Sequence, residues 1–541
     1  MPIPRPRAPF ALAWMLALGA VAPGQSVAES DLWVSLTGAE ARVPTGEGVT
    51  IAILDRGIDW KHPDFRDENG NTRILWMLDM SGQSLCWGGN PAPVEYSRAQ
   101  IDAALAGGTP LKFRDAVGHG TITAGNGRGL PDQRYRGVAP KADLIIVKLV
   151  SEGAPAHGNQ PAEAAFQGCL DQAFDWLDAK LDERDQPAVA LVNSGTQWGP
   201  IDGTSALSRK IEQVFGDDRP GRIFVAPSGD EGCLNNHALA TYDSTQDTVI
   251  RFNKSKASAV ALQAWFTGQV PAKITVAFDD GFVLGPLASP SFTFTSASGG
   301  GVQMAQYAPG QQFYPWSSDG PDRALWMTIS GHKGGGELRF RATGAGTGTV
   351  DVYGDLLGAG GTAIVTFDQD RLTAGRLIDI ASGTSGIVAG AHVALTSWVD
   401  VNGVTQTATN QGLTGELWSC SAGGPTRDGR SLRVDVTAPG HNLFAAYAPK
   451  SWWATSKGNL VAGGQGLYGR AFATSGAAPL VAGAVALMLE VDPTLTASEA
   501  RRILRSSARS DAQTGVLPTE TWGHGKLDVL RALFLTHWQS R

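Results

Sequence analysis

Four short runs of apolar residues in the first half of the chain have the length of buried strands. They lie at 49–54, 144–150, 189–192 and 223–226. Segments with helical spacing of apolar residues lie between them, such as residues 161–181. Strands that are apolar on both faces and alternate with helices form parallel sheets covered by helices. The pattern therefore predicts an α/β domain built on a parallel sheet.

The pattern changes near Thr245. From there to about Thr373, apolar and polar residues alternate in short segments that glycine-rich turns separate. Regular short strands of this kind are typical of an antiparallel β-sandwich. The α/β pattern then returns, with a strand at 434–436 and a helix at 476–490. We therefore predict a sandwich inserted into the α/β domain. The predicted division is 29–244 for the first part of that domain, 245–373 for the sandwich and 374–541 for the second part.

The N-terminus has the composition of a secretory signal. Arg5 and Arg7 precede an apolar run at about 8–22, and residues 26–28 are small, as at a cleavage site. The alternative is an uncleaved membrane anchor, but a run of about 15 residues is short for a span of about 20. We expect residues 1–28 to be removed, which would leave a secreted or periplasmic protein that is not integral to a membrane.

Charge and cysteine content narrow the environment and the partners. The net charge is −7 and the chain has no run of Lys and Arg, so nucleic acid is not expected as a partner. Four cysteines in an exported chain permit two disulfides in three pairings. Cys169 lies on an apolar helical stripe, so a free core cysteine is the alternative there. The cysteines are Cys86, Cys169, Cys233 and Cys420.

Three short segments carry the residue types that a serine hydrolase needs: a nucleophile, a base and a carboxylate that orients the base. Asp55 ends an apolar strand, at the sheet edge where sites form in α/β folds. His119 lies between two glycines, so that backbone can approach it closely. Ser475 opens a helix of small residues, where its own N–H is free to meet an anion. Taken singly, each has an ordinary alternative: a loop aspartate, a solvated histidine and a helix-capping serine.

Together these segments resemble the subtilases, the family of subtilisin-like serine proteases. The order Asp, His, Ser along the chain is the subtilisin order and differs from those of chymotrypsin and the α/β-hydrolases. The resemblance implies a subtilisin-like parallel sheet flanked by helices, and the insert is similar to the jelly-roll insertions of some bacterial members. The segments that resemble the family are 46–55, 62–65, 115–121, 135–140, 419–425, 437–440 and 523–528.

The resemblance also implies a role for each candidate residue. Asp55 would orient His119, and His119 would take the proton from Ser475 and later give it to the leaving amine. Ser475 would attack the substrate carbonyl and form an acyl-enzyme. A neighbouring strand would pair with the substrate backbone. The residues of that strand are Asn193, Ser194 and Gly195.

The chain departs from the family pattern near the nucleophile. Asp230 stands where the family typically has the asparagine whose amide donates to the oxyanion, and Ala473, Gly476 and Leu480 stand where Gly, Met and His are usual. An ionised carboxylate would repel the oxyanion, so we predict that Asp230 acts as a neutral donor beside the Ser475 N–H. The alternative is that Asp230 points to a structural partner.

No cofactor is expected to be required for the chemistry, and no metal is expected among the catalytic groups. Calcium sites are frequent in the family, so structural calcium is an open expectation. The candidate ligands form an exposed acidic cluster, for which a solvated surface is the alternative interpretation. They are Asp64, Asp67 and Glu68.

The sequence thus predicts a secreted serine endopeptidase that acts on proteins or peptides. A catalytically impaired pseudoprotease that acts as a binding protein is the first alternative, supported by Asp230 and the altered serine segment. The second is an adhesion or carbohydrate-binding protein that stacks sugars on aromatic residues of the insert, although such residues more often belong to a sandwich core. The aromatic residues are Trp265, Trp316 and Trp326.

Overall fold

The computed structural model describes most of the chain from residue 44 onward. The described residues are 44–81, 93–127, 137–149, 170–254, 260–268, 270–288, 291–295, 300–311, 316–332, 334–355, 365–367, 371–372 and 374–540. The predicted signal segment, Cys86, Cys169 and Thr373 lie outside them.

The first α/β part contains the strands that the apolar runs predicted. The strands are β1 (Thr50–Asp55), β2 (Ile74–Asp79), β3 (Val94–Ser97), β4 (Asp143–Lys148), β5 (Ala188–Val192) and β6 (Arg222–Pro227). The helices are α1 (Arg98–Leu105), α2 (His119–Gly127), α3 (Leu170–Arg184) and α4 (Ala206–Phe215). The helix predicted at 161–181 overlaps α3, and its first residues lie outside the described ranges.

An antiparallel part follows. Its strands are β7 (His237–Tyr242), β8 (Thr248–Lys254), β9 (Val260–Thr267), β10 (Ala272–Phe278), β11 (Val283–Leu287), β12 (Ser291–Thr295), β13 (Gly301–Tyr307), β14 (Arg323–Ser330), β15 (Gly334–Ala342), β16 (Gly348–Asp355) and β17 (Val365–Phe367).

The last part returns to the α/β layout. Its strands are β18 (Ile387–Val393), β19 (Ser397–Val399), β20 (Thr405–Thr407), β21 (Val436–His441), β22 (Leu443–Ala446) and β23 (Tyr468–Ala471). Its helices are α5 (Trp452–Thr455), α6 (Thr474–Val491), α7 (Ala497–Ser507) and α8 (Val529–Gln539). Short 3₁₀ helices lie at Pro63–Phe65, Asp379–Ala381 and Lys457–Asn459.

The central sheet has eight strands in the order β21-β18-β6-β5-β1-β4-β2-β3. Its neighbouring strands are parallel except for β2 with β3. Every residue of β1 and β5 is buried, as expected for strands that are covered on both faces. Helix α6 packs across β21, β18, β6, β5 and β1. The predicted α/β fold with a parallel sheet flanked by helices is confirmed.

Two separate antiparallel sheets form the middle part. One has the order β11-β10-β15-β8-β17 and the other β12-β13-β14-β9-β16-β7. Alternate residues of β8 and β14 are buried, and both sheets contribute to one hydrophobic core. The described strands of these sheets do not pair with the central sheet. The alternating pattern of the sequence therefore predicted their strand type correctly.

The antiparallel part begins earlier than the expected boundary at Thr245. Strand β7, from His237, already pairs with β16. The chain comes back beside the same strand, because Leu372 N donates to His237 O at 2.9 Å. The two ends therefore lie side by side, as an insertion into another domain requires.

Tryptophans of the antiparallel part pack against the α/β part. Trp265 is fully buried in the core cluster that belongs mainly to the α/β part, and Trp326 packs against the same cluster. Trp198, Trp316 and Trp326 form an aromatic group, with ring centroids 4.8 to 6.0 Å apart. Trp265 is inaccessible to a sugar, so its expected core role is the one the structure supports.

Helix α6 also has the length and hydropathy of a membrane span. Among the described residues it is the single helix with both properties, and 78% of its 18-residue apolar stretch is buried inside the protein. Its hydrophobic surface is therefore used for packing in the core.

Candidate active site

The candidate site begins at the carboxyl ends of three adjacent strands. Asp55 is the last residue of β1, Asn193 follows β5, and Asp230 lies shortly after β6. Because β1 pairs with β5 and β5 with β6, the three side chains start from one edge of the sheet. Sites form at this edge in open α/β sheets.

Asp55 is completely buried, and both oxygens of its carboxylate accept hydrogen bonds. The Arg56 N–H donates to Oδ1 at 2.6 Å, and the Thr123 hydroxyl donates to Oδ2 at 2.8 Å. His119 Nδ1 lies 2.7 Å from Oδ1 and 2.8 Å from Oδ2. An ionised carboxylate only accepts hydrogen bonds, so it fixes the Nδ1–H tautomer of His119.

Two glycines let α2 bring His119 to this position. Gly118 has φ +107°, a conformation that glycine adopts without strain. A Cβ on Gly120 would lie 1.9 Å from the carbonyl oxygen of Gly57, so only glycine permits this approach of α2 to the β1 end. The sequence argument for close backbone approach at His119 is therefore confirmed.

The start of α2 is held by Asp115, which the sequence analysis did not assign a role. Its carboxylate accepts from the Gly118 N–H at 2.7 Å, and from the N–H and hydroxyl of Thr121 at 2.8 and 2.7 Å. Burial raises the pKa of Asp115 above its ordinary value, against the opposing effect of these hydrogen bonds. Asp115 satisfies free N–H groups of the helix that carries His119. An Asp shortly before a helix start was the available signal.

Ser475 is the second residue of α6 and is half-buried among fully buried neighbours. The residue before this helix, Ala473, has φ +69° and ψ −170°, a region that is essentially restricted to glycine. Gly476 lies so close to β21 that a Cβ there would be 2.2 Å from the carbonyl oxygen of Gly440. A strained turn and a close helix–sheet contact thus position Ser475.

Asn193 connects the aspartate and serine ends of the site. It is fully buried, and its Nδ2 donates to Thr123 Oγ1 at 2.7 Å and to the carbonyl oxygen of Ser475 at 2.9 Å. Thr123 in turn donates to Asp55. Sequence reasoning missed Thr123, although its position four residues after His119 places both on one helix face. The side chain of Asn193 is thus directed inward, toward the serine turn.

Asp230 lies beside the nucleophile and acts as an acceptor. Its Oδ1 accepts from the Thr474 hydroxyl at 2.6 Å and from the Thr474 N–H at 3.1 Å. A carboxylate at a helix N-terminus is stabilised by the free N–H groups and the helix dipole. Oδ1 therefore has a structural partner, and the predicted donor role toward an oxyanion remains a prediction for Oδ2.

A disulfide lies close to Asp230. Cys233 and Cys420 are bonded, with Cα atoms 4.3 Å apart. The same two segments are also joined by the Gly232 N–H, which donates to Cys420 O at 3.0 Å. This bond belongs to one of the three pairings that the sequence left open.

The acidic cluster considered for calcium is not an exposed cluster. Asp64 is fully buried, and its Oδ1 accepts from the Tyr468 hydroxyl at 2.5 Å. Asp67 Oδ1 accepts from the N–H groups of Asn69 and Asn71, both at 2.9 Å. The expectation of exposure was wrong for Asp64, because it lies on the buried side of the 3₁₀ helix Pro63–Phe65 and faces Tyr468. In the part of the chain that the structure describes, no three His, Cys, Asp or Glu side chains are grouped to hold a metal ion.

Comparisons with known proteins agree with this fold. The Subtilase family, Peptidase_S8, matches residues 46–525. A subtilisin-like protease of Coccidioides posadasii (strain C735) is 35% identical over 108 residues, which are 20% of this chain and 18% of the relative. Subtilisin-like protease 1 of Arthroderma otae is 24% identical over 204 residues, which are 38% of this chain and 31% of the relative. The chain thus spans less than a third of either relative.

A solved structure supports the same assignment at the level of the fold. The Clostridium perfringens CspB protease has a TM-score of 0.70 and 21% sequence identity, with 91% of this chain and 94% of that chain covered. The family match itself extends over most of the chain, from β1 to the segment before α8. The chain therefore belongs to the Subtilase family.

Proposed function

We propose that this chain is a serine endopeptidase that hydrolyses peptide bonds in proteins through an acyl-enzyme on Ser475. The observation that carries the proposal is the pair formed by His119 and the buried carboxylate of Asp55, with Nδ1 to oxygen distances of 2.7 and 2.8 Å. Helix α2, which carries His119, packs against α6, which carries Ser475. The family supports the same reaction class.

The chemistry follows from the tautomer that Asp55 imposes. With the proton on Nδ1, the opposite nitrogen of His119 has a free lone pair and serves as the general base. It takes the proton of Ser475 Oγ as this oxygen bonds to the substrate carbonyl carbon. It then gives that proton to the leaving amine as the peptide bond breaks. Water then attacks the acyl carbon while His119 takes its proton. His119 gives this proton to Ser475 Oγ as the acyl bond breaks, which releases the acid.

The oxyanion that develops on the substrate needs donors. The N–H of Ser475 lies in the first turn of α6, where backbone N–H groups lack partners within the helix. Such a donor, held in place before the reaction, stabilises charge that forms only in the transition state. Asp230 adds a second donor only if Oδ2 carries a proton.

We infer that the protein acts outside the cytoplasm, as a secreted or periplasmic enzyme. The disulfide between Cys233 and Cys420 supports this inference, because such bonds persist in oxidising compartments. The exposed position of Cys233 adds to it, since a reducing cytoplasm would have access to the bond. The expected signal at 1–28 gives the route of export.

The test is covalent labelling of the purified protein with a fluorophosphonate, together with cleavage of casein. Ser475→Ala should abolish both labelling and cleavage. Ser498→Ala is the matched control, because Ser498 is likewise the second residue of a helix, α7, and is exposed. Labelling that survives in Ser475→Ala, or that is lost equally in the control, would contradict the assignment of the nucleophile.

A pseudoprotease is the second candidate, and the acceptor role of Asp230 toward Thr474 is the observation that favours it. Asp230→Asn distinguishes the two. An amide keeps an oxygen for Thr474 and presents an N–H where the oxyanion forms, so it should increase kcat of an active enzyme at alkaline pH. A wild-type protein that binds casein without cleaving it, and that gains no activity from Asp230→Asn, would support the pseudoprotease.

A further inference from the structure

Two segments that leave the sheet on neighbouring strands contact the turn that carries Ser475. Residues 193–196 extend β5 and residues 228–230 extend β6, and the two strands pair with one another. The first segment contacts the serine turn through Asn193, and the second through Asp230. Ser475 is therefore flanked by both segments. A peptide bound at Ser475 would therefore lie against both segments, and they would form the walls of a side-chain pocket.

One buried residue is held between these two walls. Ile378 is 2% exposed and bonds to both walls: its own N–H donates to Ser228 O at 3.1 Å, and the next N–H, of Asp379, donates to Thr196 O at 2.9 Å. These bonds fix the backbone of Ile378 between the two segments, so its side chain has little freedom to leave.

The side chain of Ile378 reaches a glycine on each wall. A Cβ built on Gly195 would lie 2.6 Å from Ile378 Cδ1, and a Cβ on Gly229 would lie 2.9 Å from Ile378 Cγ2. The Gly229 Cβ would also lie 2.5 Å from Glu231 Oε2. Two glycines usually leave open space, but here both face the same branched side chain. Ile378 and Glu231 therefore occupy space between the walls.

We propose that the space between the two walls receives the side chain of the residue contributing the scissile carbonyl, and that Ile378 closes this space and so restricts substrates to glycine or alanine at that position. The inference rests on the proposed endopeptidase function and adds a substrate class to it. Ile378 belongs to the main hydrophobic core and is branched at Cβ. Because the core is close-packed, a leucine or phenylalanine of the substrate cannot displace it at low energy.

The wild-type test uses four fluorogenic peptides that differ only in the residue before the scissile bond: glycine, alanine, leucine or phenylalanine. One methylene in an apolar pocket changes kcat/KM by about 10-fold or more. We expect the alanine peptide to exceed the leucine and phenylalanine peptides by at least about 10-fold. Equal rates on all four peptides would overturn the proposal.

Variants of Ile378 test the residue itself. Ile378→Ala should raise kcat/KM for the leucine and phenylalanine peptides by about 10-fold or more, with a smaller change for the alanine peptide. Ile378→Val removes Cδ1, the atom nearest Gly195, and provides the milder variant if Ile378→Ala does not fold; its ratio of leucine to alanine rates should also rise. The matched control is Ile380→Ala, which truncates another buried isoleucine of the same short segment. A control that shifts the preference as much as Ile378→Ala would refute a specific role for Ile378.

The two proposals fail in different ways. If the protein does not react with a fluorophosphonate and cleaves none of the peptides, the proposed function is wrong. If it is labelled at Ser475 and cleaves the phenylalanine peptide as fast as the alanine peptide, the endopeptidase stands and only the role of Ile378 is wrong.

Discussion

We predict that His441 makes the stability of the serine turn depend on pH. It is the last residue of β21, is largely buried, and its ring stacks on Trp418 with centroids 4.9 Å apart and planes at 11°. Its Nδ1 accepts from the N–H of Ala473 at 3.3 Å. Ala473 precedes α6 and holds the strained conformation that presents Ser475. A proton on Nδ1 would place two N–H groups against one another, so the neutral ring is the form that supports the turn.

Burial, followed by the charge of Arg470, lowers the pKa of His441 from 6.5 to about 4. The unfolded chain therefore binds a proton here below pH 6.5, whereas the folded protein does so only near pH 4. Since the unfolded state holds more protons in this window, stability falls as pH falls from about 6.5 to about 4. The difference corresponds to at most about 3 kcal/mol of the free energy of unfolding.

The assay is denaturant unfolding between pH 4 and 8, in a Ser475→Ala background that prevents autolysis. His441→Asn keeps an acceptor near Ala473 and removes the group that titrates. Between pH 6.5 and pH 4, its free energy of unfolding should therefore fall by up to about 3 kcal/mol less than that of its parent. The comparison is needed because burial also lowers the pKa of His392 to about 4, and that group contributes equally to both proteins. Two curves that fall in parallel would refute the role of His441.

Three further predictions concern single positions. Ser475→Ala and His119→Ala should each remove nearly all of kcat, and the double variant should lose little more; losses that multiply would show that the two do not act as one unit. Burial raises the pKa of Asp379 from 3.8 to about 7, so stability should fall as pH rises from about 4 to about 7, and Asp379→Asn should be more stable than wild type at pH 8 in urea unfolding; equal midpoints there would contradict this. Ala473→Gly should raise the unfolding free energy by about 1 kcal/mol, because it relieves a φ of +69°; a lower value would show that the turn is not strained.

The sequence predicted those parts of the fold in which an apolar run corresponds to a buried strand. The runs at 49–54 and 189–192 correspond to β1 and β5, which are buried on both faces; apart from Thr50, both runs are therefore apolar. The boundary at Thr245 was late because β7 turns Ala238, Ala240 and Tyr242 toward the core and exposes the apolar Leu239 between them, so its sequence shows no clear apolar and polar alternation. Local patterns thus revealed elements well and their limits less well.

Some features of the candidate site were likewise predictable from local sequence, and others were not. That Asp55 would lie at a sheet edge follows from the rule for parallel sheets, and the glycines around His119 signal a close approach. The bond from Asn193 to the carbonyl of Ser475 joins residues 282 positions apart, and no local pattern encodes it. Its partner, Thr123, reads in sequence as an ordinary helix residue.

Ile378 shows why the remaining features could not be predicted. In sequence it is one of several apolar residues between the insert and β18, and any of them could serve the core. Its proposed effect on substrates depends on facing Gly195 and Gly229, and each of those glycines belongs to a segment fixed by a different strand. One buried side chain thus serves the core and, in the proposal, also sets the depth of a substrate pocket. Composition predicts that such a residue is buried, whereas the proposed competition with a substrate follows only from the arrangement of the two strand ends.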